Sequence, residues 1–278
     1  MKLGFFLKRK VALIGFLFIG LLLAVALAAP LMARIPPQDL NPANKLSPPG
    51  GAHLFGTDNF GRDVFSRVVY GARTSLTGGS GVVLFSTVLG VLIGAVAGYF
   101  RRTEAWLMRL VDVMMAFPPL LLALVLVSIL GRGMLNVIVA VGVTYLTRTV
   151  RVAYALTLKI REEPYIEAAV ASGVRQFAIV TRHVIPNMLS PIIVQATFTF
   201  AFSLLDLAAL DFLGLGIPPA VPSWGNMLSE GRMYLTRAPW LLIFPGAFIV
   251  MTVLSFNLAG DVLRDRLDPQ LQRNIEGV

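Results

Sequence analysis

The sequence predicts an all-α membrane protein with about six transmembrane helices, and three observations predict it. The 278 residues are 56% hydrophobic and only 14% charged, where a soluble chain carries about 25% charged residues; mean hydropathy is +0.76. The apolar residues gather into six runs long enough to cross a bilayer. The basic residues, which set a net charge of +9, gather in alternate connections between those runs.

The first run, Val11–Met32, follows a basic start that holds Lys2, Lys8, Arg9 and Lys10. It is uncharged and long enough for roughly 30 Å of hydrocarbon at about 1.5 Å per residue. A secretory signal has a similar start, and Ala28–Ala33 faintly resembles a cleavage region, but a signal's apolar stretch runs only about 7–15 residues. The reading is therefore an uncleaved first span. Ser80–Phe100, Val113–Leu130, Ile192–Leu213 and Trp240–Gly260 are four further spans. Met134–Leu158 is the remaining one: it is apolar in its first half and then meets Arg148 and Arg151, which as long side chains near a span's end can snorkel to the headgroups. Pro118 and Pro119 predict a kink in the third span.

Six spans put both termini on one side. With that side cytoplasmic, the inner segments (1–10, 101–109, 148–182 and 261–278) hold 16 Lys and Arg, against 8 in the outer ones. The positive-inside rule selects this orientation. The basic excess is thus topological, and nucleic acid is not an expected partner; membrane lipid is. The chain divides into an N-terminal part, 1–79, comprising the cytoplasmic start, the first span and an external segment. A five-span core follows at 80–260, and then a cytoplasmic tail at 261–278. The external segment is Pro- and Asn-rich and becomes amphipathic around Val64–Leu76. A cytoplasmic connection of about 30 residues, 161–190, is long enough to signal function.

Composition excludes several classes. With no cysteine there is no disulfide framework, thiolate zinc site or iron–sulfur cluster, and the two histidines, His53 and His183, are too far apart in sequence for a local ligand spacing; no metal site is expected. No G-x-x-x-x-G-K-[ST] phosphate loop occurs, so this chain is not expected to bind ATP itself. Asp206 and Asp211, the acidic pair of the fifth span, point about 140° apart at 100° per residue, a poor dyad for a membrane-embedded enzyme. Such an enzyme and a stand-alone channel are the remote alternatives to a transport subunit.

The connection carries the sharpest signal. Pro164 suits a first helical turn, Glu162, Glu163 and Glu167 suit its positive dipole end, and Gly173 suits its C-terminal cap. Between them Ala168, Ala169, Ala171 and Ser172 give a two-turn helix a face of small side chains, which lets another protein approach the backbone closely. A helix resting on the inner leaflet is the plain alternative. It accounts for the amphipathicity but not for the alanines, since lipid anchoring favours Leu, Phe and Trp.

Glu167-Ala168-Ala169, Gly173 and Pro186 resemble the EAA loop of binding-protein-dependent ABC importers. Leu54–Leu76 (LFGTDNFGRDVFSRVVYGARTSL) and two stretches within 211–269 (FLGLGIPPAVPSWGNMLSEGR and FNLAGDVLRDRLDP) resemble the dipeptide/oligopeptide/nickel permease branch. The likeness covers about residues 51–269 and is nearest to the second, C-type, permease. It implies a type I ABC importer permease fold in the inner membrane of a bacterium, with 161–190 carrying a coupling helix whose residues Glu167, Ala168, Ala169, Gly173 and Pro186 meet an ATPase. It further implies pairing with a homologous permease, two ATPase subunits that carry the ATP and Mg, and an external substrate-binding protein. Dipeptides or oligopeptides are the leading cargo; nickel or a metal chelate is the alternative, and glutathione-like or glycosidic solutes come after. Where the family commonly reads Glu-Ala-Ala-Leu-Ser-Phe, residues 207–212 read LAALDF, with acidic groups at Asp206 and Asp211 instead.

Other features carry weaker expectations. Gly90, Gly94 and Gly98 share one helix face and predict close helix packing, with a moving gate surface as the alternative. Asp206 and Asp211 either line the pathway, where a carboxylate suits the α-amino group of a peptide or a cation, or lie at the span's outer end facing water or an arginine. His183 is expected to be structural, and His53 has no evident partner. Trp106, Trp224 and Trp240 are placed at the membrane interfaces. The Pro- and Gly-rich stretch 218–240 is no regular span; it re-enters the outer mouth, forms a docking surface or is a plain loop.

Overall fold

A computed structural model describes residues 2–267; the last part of the expected C-terminal tail, 268–278, lies outside the described residues. Among these the chain is helical without a strand, and only one isolated antiparallel bridge, Thr57 with Asp63, interrupts that rule. The helices are α1 (Lys2–Met32), α2 (Val64–Tyr99), α3 (Arg101–Met115), α4 (Pro119–Leu130), α5 (Met134–Arg161), α6 (Pro164–Ala171), α7 (Gln176–Ile179), α8 (Ile185–Phe212), α9 (Trp224–Gly231) and α10 (Trp240–Leu267). Five stretches of helix are long and apolar enough to span, or six if α3 and α4 form one broken span.

Local chemistry moves several expected boundaries. Asp63 caps α2, its carboxylate accepting the Ser66 N–H at 2.8 Å, and the helix then runs unbroken for 36 residues, about 54 Å. The amphipathic Val64–Leu76 and the span expected from Ser80 are therefore one helix, and the division at residue 79 falls inside it. Gly78, Gly79 and Gly81 are weak helix formers but do not break it. A methyl at Gly79 would come within 2.9 Å of Phe200, and one at Gly81 within 2.7 Å of Ile138. Close packing holds these weak helix formers in place.

The third expected span is two helices. Pro118 is extended, as a residue before proline favours, and Pro119 starts α4; α3 and α4 meet at 95°. Alone, α4 has 12 residues, about 18 Å, too short for about 30 Å of hydrocarbon. The 161–190 connection is also more ordered than expected. α7 passes through a π-turn, Val180–Val184, into α8, so that one helical run extends over Gln176–Phe212. Pro186, which lacks an N–H, sits at the start of α8 just after that wider turn.

At the centre α2 and α5 run parallel in close contact. A methyl at Gly90, Gly94 or Gly98 would fall 2.6 Å from the Cβ of Thr149, Ala153 or Thr157 respectively. The three glycines thus face a matching row of small residues with the same four-residue spacing. Thr149 and Thr157 hide their hydroxyls by donating to the carbonyls of Tyr145 and Ala153 on their own helix. Around this pair, α8 and α10 pack through Phe200 and Phe256, whose rings stack at 3.9 Å, and α1 joins them through Leu22 and Ala26. Leu27 and Leu31 of α1 are 83% and 88% exposed, which only a lipid or protein neighbour tolerates.

Gly94→Val should therefore force α2 and α5 apart, because the added atoms meet the Val150 carbonyl and the Ala153 methyl at 2.6 Å. An overpacking cost of about 1–3 kcal/mol should appear as a lower Tm of the purified protein in detergent. Gly20→Val on α1, with nothing within 4 Å of its added methyl, should leave Tm unchanged.

Candidate functional site

Two structured ends flank the bundle. At the end where α5 stops, α6 lies across the base. Pro164 opens it and Glu167 sits in its first turn. It closes on a Schellman motif: Val174 N–H donates to Ala169 O at 3.1 Å and Gly173 N–H to Val170 O at 3.0 Å. Gly173 has φ +75° with open space around it, so glycine is there for its backbone conformation and not for room.

One residue anchors α6. Ile166 is 2% exposed and packs with Ile160 of α5, Ile179 of α7, and Val180 and Val184 of the π-turn; Ala169 rests against the same cluster. Glu167, Ala168, Val170, Ala171, Ser172 and Gly173 are exposed. Phe177 and Tyr165 flank them at 74% and 43% exposure. The surface formed is small-faced, apolar and acidic at one end. Pro186 is exposed nearby, and the His183 carbonyl accepts the Asn187 side-chain N–H at 2.6 Å.

At the opposite end, where α2 begins, the segment 54–67 folds into a cap that sequence reasoning did not foresee in detail. Asp58 accepts the N–H groups of Phe60 (2.8 Å) and Arg62 (3.0 Å) through Oδ1, and Arg62 Nε at 2.5 Å through Oδ2. Arg62 and Arg67 both donate to Glu230 Oε2, at 2.6 and 3.1 Å. Arg67 is 1% exposed and Arg62 8%; two cations meet two carboxylates, so the buried charge balances. Gly61, at φ +76°, lies so close to the Asn41 carbonyl that no side chain fits. His53, without an evident partner in sequence, holds Asp63 at 2.9 Å. A cleft of about 500 Å³ opens between this cap and the 219–234 stretch, lined by Asn59, Arg62, Glu230, Arg232 and Tyr234.

The 218–240 stretch contains α9, and its Trp224 is no interfacial belt residue. It is fully buried, donates from Nε1 to Val68 O at 3.0 Å, and packs beside Gly71. Trp240 donates to Thr57 O at 3.1 Å, while Trp106 on α3 is 75% exposed.

The two carboxylates of α8 take different roles. Asp211 is 3% exposed; Oδ1 accepts Ile217 N–H at 2.7 Å and Oδ2 accepts Ser223 Oγ–H at 2.6 Å. Gly216 and Gly225 press against it, where a side chain would collide with the Asp211 carboxylate or Cβ. Of its two expected surroundings, pathway or span end, the geometry places it at the end of α8 inside the 213–223 loop, because two loop donors converge on it. Asp206 is half-buried and accepts Tyr145 Oη–H from α5 at 2.7 Å. Arg151 pairs with Asp112, and Tyr154 donates to Glu104 at 2.5 Å, both linking α5 to α3.

With this geometry in hand, comparison with known proteins is direct. Residues 87–273 match the family described as binding-protein-dependent transport system inner membrane component, and residues 5–49 match the N-terminal TM domain of oligopeptide transport permease C. The chain is 42% identical to the dipeptide transport system permease protein of Alkalihalophilus pseudofirmus, over 95% of this chain and 88% of that one. It is also 42% identical to a di/tripeptide transport system permease protein of Pseudomonas aeruginosa (96% and 90% covered), and 35% identical to the oligopeptide transport system permease protein of Bacillus subtilis (96% and 88%). The chain belongs to the family of binding-protein-dependent transport system inner membrane components, the permeases of ABC importers, and is a multi-pass transport subunit.

Asp211→Ala should leave the Ile217 N–H and the Ser223 hydroxyl without their acceptor, at about 1–3 kcal/mol for each unsatisfied group. Faster proteolysis within 214–223 of membrane-embedded protein is the expected result. Unchanged proteolysis would count against the loop-holding role.

Proposed function

We propose that this chain is one permease subunit of an ATP-driven importer of dipeptides or oligopeptides, and that α6 is the surface through which a separate ATPase moves it. The observation that carries the reading is the build of α6. A helix of eight residues shows Ala168 and Ala171 outward, with Gly173 just past its end, and keeps one large side chain, Ile166, in the bundle. Small outward residues let a partner's groove close over the backbone, while Ile166 passes the groove's motion to α5 and α8. The peptide cargo follows from the names carried by the relatives at about 40% identity.

In this reading a homologous permease completes the conduit, two ATPases hold ATP and Mg, and an external binding protein delivers cargo to the capped face. Glu167, Ala168, Ala169, Gly173 and Pro186 belong to the ATPase contact, and both termini lie in the cytoplasm with α6. When the ATPases close, they bind one state of the permease pair better than the other; that difference shifts the equilibrium between inward- and outward-open forms. Hydrolysis releases it.

Ala168→Asp is the clean test, because the Ala168 side chain is exposed. The variant should insert at wild-type levels and lose co-purification with its ATPase in mild detergent, with peptide uptake falling at least about tenfold, equivalent to about 1.4 kcal/mol of lost contact. Wild-type uptake with the ATPase still bound would remove α6 from the mechanism.

A further inference from the structure

α5 has two contrasting sides. Thr149, Ala153 and Thr157 press into α2. Arg148 and Arg151 stand about 140° and 160° away from Ala153 at 100° per residue, and both are exposed. With Tyr145 they form a stripe that continues onto the neighbouring helices: Tyr145 holds Asp206 of α8, Arg151 pairs with Asp112 of α3, and Arg148 between them has no hydrogen-bond or ion-pair partner among the described residues. A cleft of about 550 Å³ lies at the α3 end of this stripe, lined by Glu104, Arg109, Asp112, Arg151 and Tyr154 among others.

Such a stripe has no place against lipid. Snorkelling explains one cation near a helix end. It does not explain a stripe reaching back to Tyr145, which lies 11 residues after the start of α5 at Met134, about 16.5 Å along the helix and near the middle of about 30 Å of hydrocarbon. Ionisable groups within a membrane face a bundle interior or an aqueous cavity. Arg148 is exposed among the described residues.

We infer that the Tyr145–Arg148–Arg151 face of α5, with Asp206 and Asp112 beside it, lines the aqueous path for cargo, and that Arg148 is a specificity-determining residue holding a substrate carboxylate. The inference rests on the importer reading. A peptide in solution carries one carboxylate and one ammonium at its ends. The stripe offers the exposed Arg148 guanidinium for the first, and for the second Asp206, held by Tyr145 three residues earlier on α5. Arginine suits the task because its planar fork matches a carboxylate with two parallel hydrogen bonds.

The absence of native cysteine makes the test direct. R148C and R151C are placed singly in the assembled complex in open membrane fragments and treated with a sulfonate-bearing methanethiosulfonate. Both should react at least about tenfold faster than L92C on α2 and L254C on α10, whose native leucines are 49% and 55% exposed apolar residues, since only the thiolate in contact with water reacts. Reaction no faster than these controls, in a complex whose R148K form still takes up peptide, overturns the aqueous face. Reaction with the chain expressed alone that disappears on assembly with its partner permease also overturns it, and makes the face a subunit contact. On the uptake side, Arg148→Gln should lower kcat/KM for a dipeptide by roughly tenfold, the worth of one charged hydrogen bond, with Arg148→Lys recovering most of it. Equal activity of the Gln and wild-type forms overturns the carboxylate role. Loss of ATPase co-purification from the wild-type chain would sink the importer reading itself, an outcome separate from all of these.

Discussion

The rest of the structure depends on the contact between α2 and α5. In a bilayer the hydrophobic effect does not draw helices together, so association comes from close packing and from what the backbones gain by approaching. Gly90, Gly94 and Gly98 make that approach possible, and Thr149, Ala153 and Thr157 fill the groove they leave. Arg161 closes the end of the seam by donating to Gly98 O at 3.0 Å. Two long parallel helices fixed along a continuous seam behave as one stiff body. The other helices are arranged around it: α4 against α5, α1 against α2, α8 against both, and α10 against α8 and α1.

That stiff pair joins the two specialised ends. α2 starts in the cap formed by 54–67, where Asp63 caps the helix and Arg67 ties its start to Glu230. α5 ends three residues before Pro164, the first residue of α6. Burying two arginines is costly, with an effective penalty of several kcal/mol per ion unless partners and hydrogen bonds offset it. Here Asp58 and Glu230 supply both. An apolar cluster would hold the cap at less expense in desolvation. The ion cluster adds geometry: it permits one register between the start of α2 and α9, and so fixes where the outer end of the stiff body sits relative to the 218–240 stretch.

Much of this was legible in the sequence, and the misses have physical causes. Spans were readable because each depends on the summed hydropathy of about twenty residues. The α6 segment was readable because its cap signals, Pro164 and Gly173, act locally. The Gly90–Gly98 face announced a packing surface, although its partner row on α5 did not stand out, since threonine and alanine are common in any membrane helix. Helix continuity through Gly78–Gly81 was not readable: local propensity argues for a break there, and Phe200 and Ile138, distant in sequence, decide otherwise. Trp224 was misplaced for the same reason: it looks like an interface residue by type and is buried by contacts about 150 residues away. The two readings of Asp211 could not be separated in sequence because its partners come from a loop folding back on its own helix. The ion cluster joins Arg62 to Glu230 across 168 positions, a pairing that charge patterning along the chain does not mark.

The same logic separates the two sides of α5. Its seam with α2 is built from residues with almost no side chain to move, and its other side carries guanidiniums and hydroxyls whose partners lie on α3 and α8. α3 meets α4 at 95° through Pro118, and α8 runs on from α7 through a π-turn. Both neighbours of the polar face are therefore helices with an interrupted hydrogen-bond ladder, whereas α2 has none. A displacement of α6 acts through Ile166 on the cluster shared by α5, α7 and the π-turn. The seam resists that displacement because its backbones are already in contact. The interrupted helices can take it up by changing their bend, which alters the spacing between Asp206, Arg148 and Asp112 while the α2–α5 body keeps its shape. On the proposed role of α6, movement is thereby directed to the side of the bundle where the polar groups are.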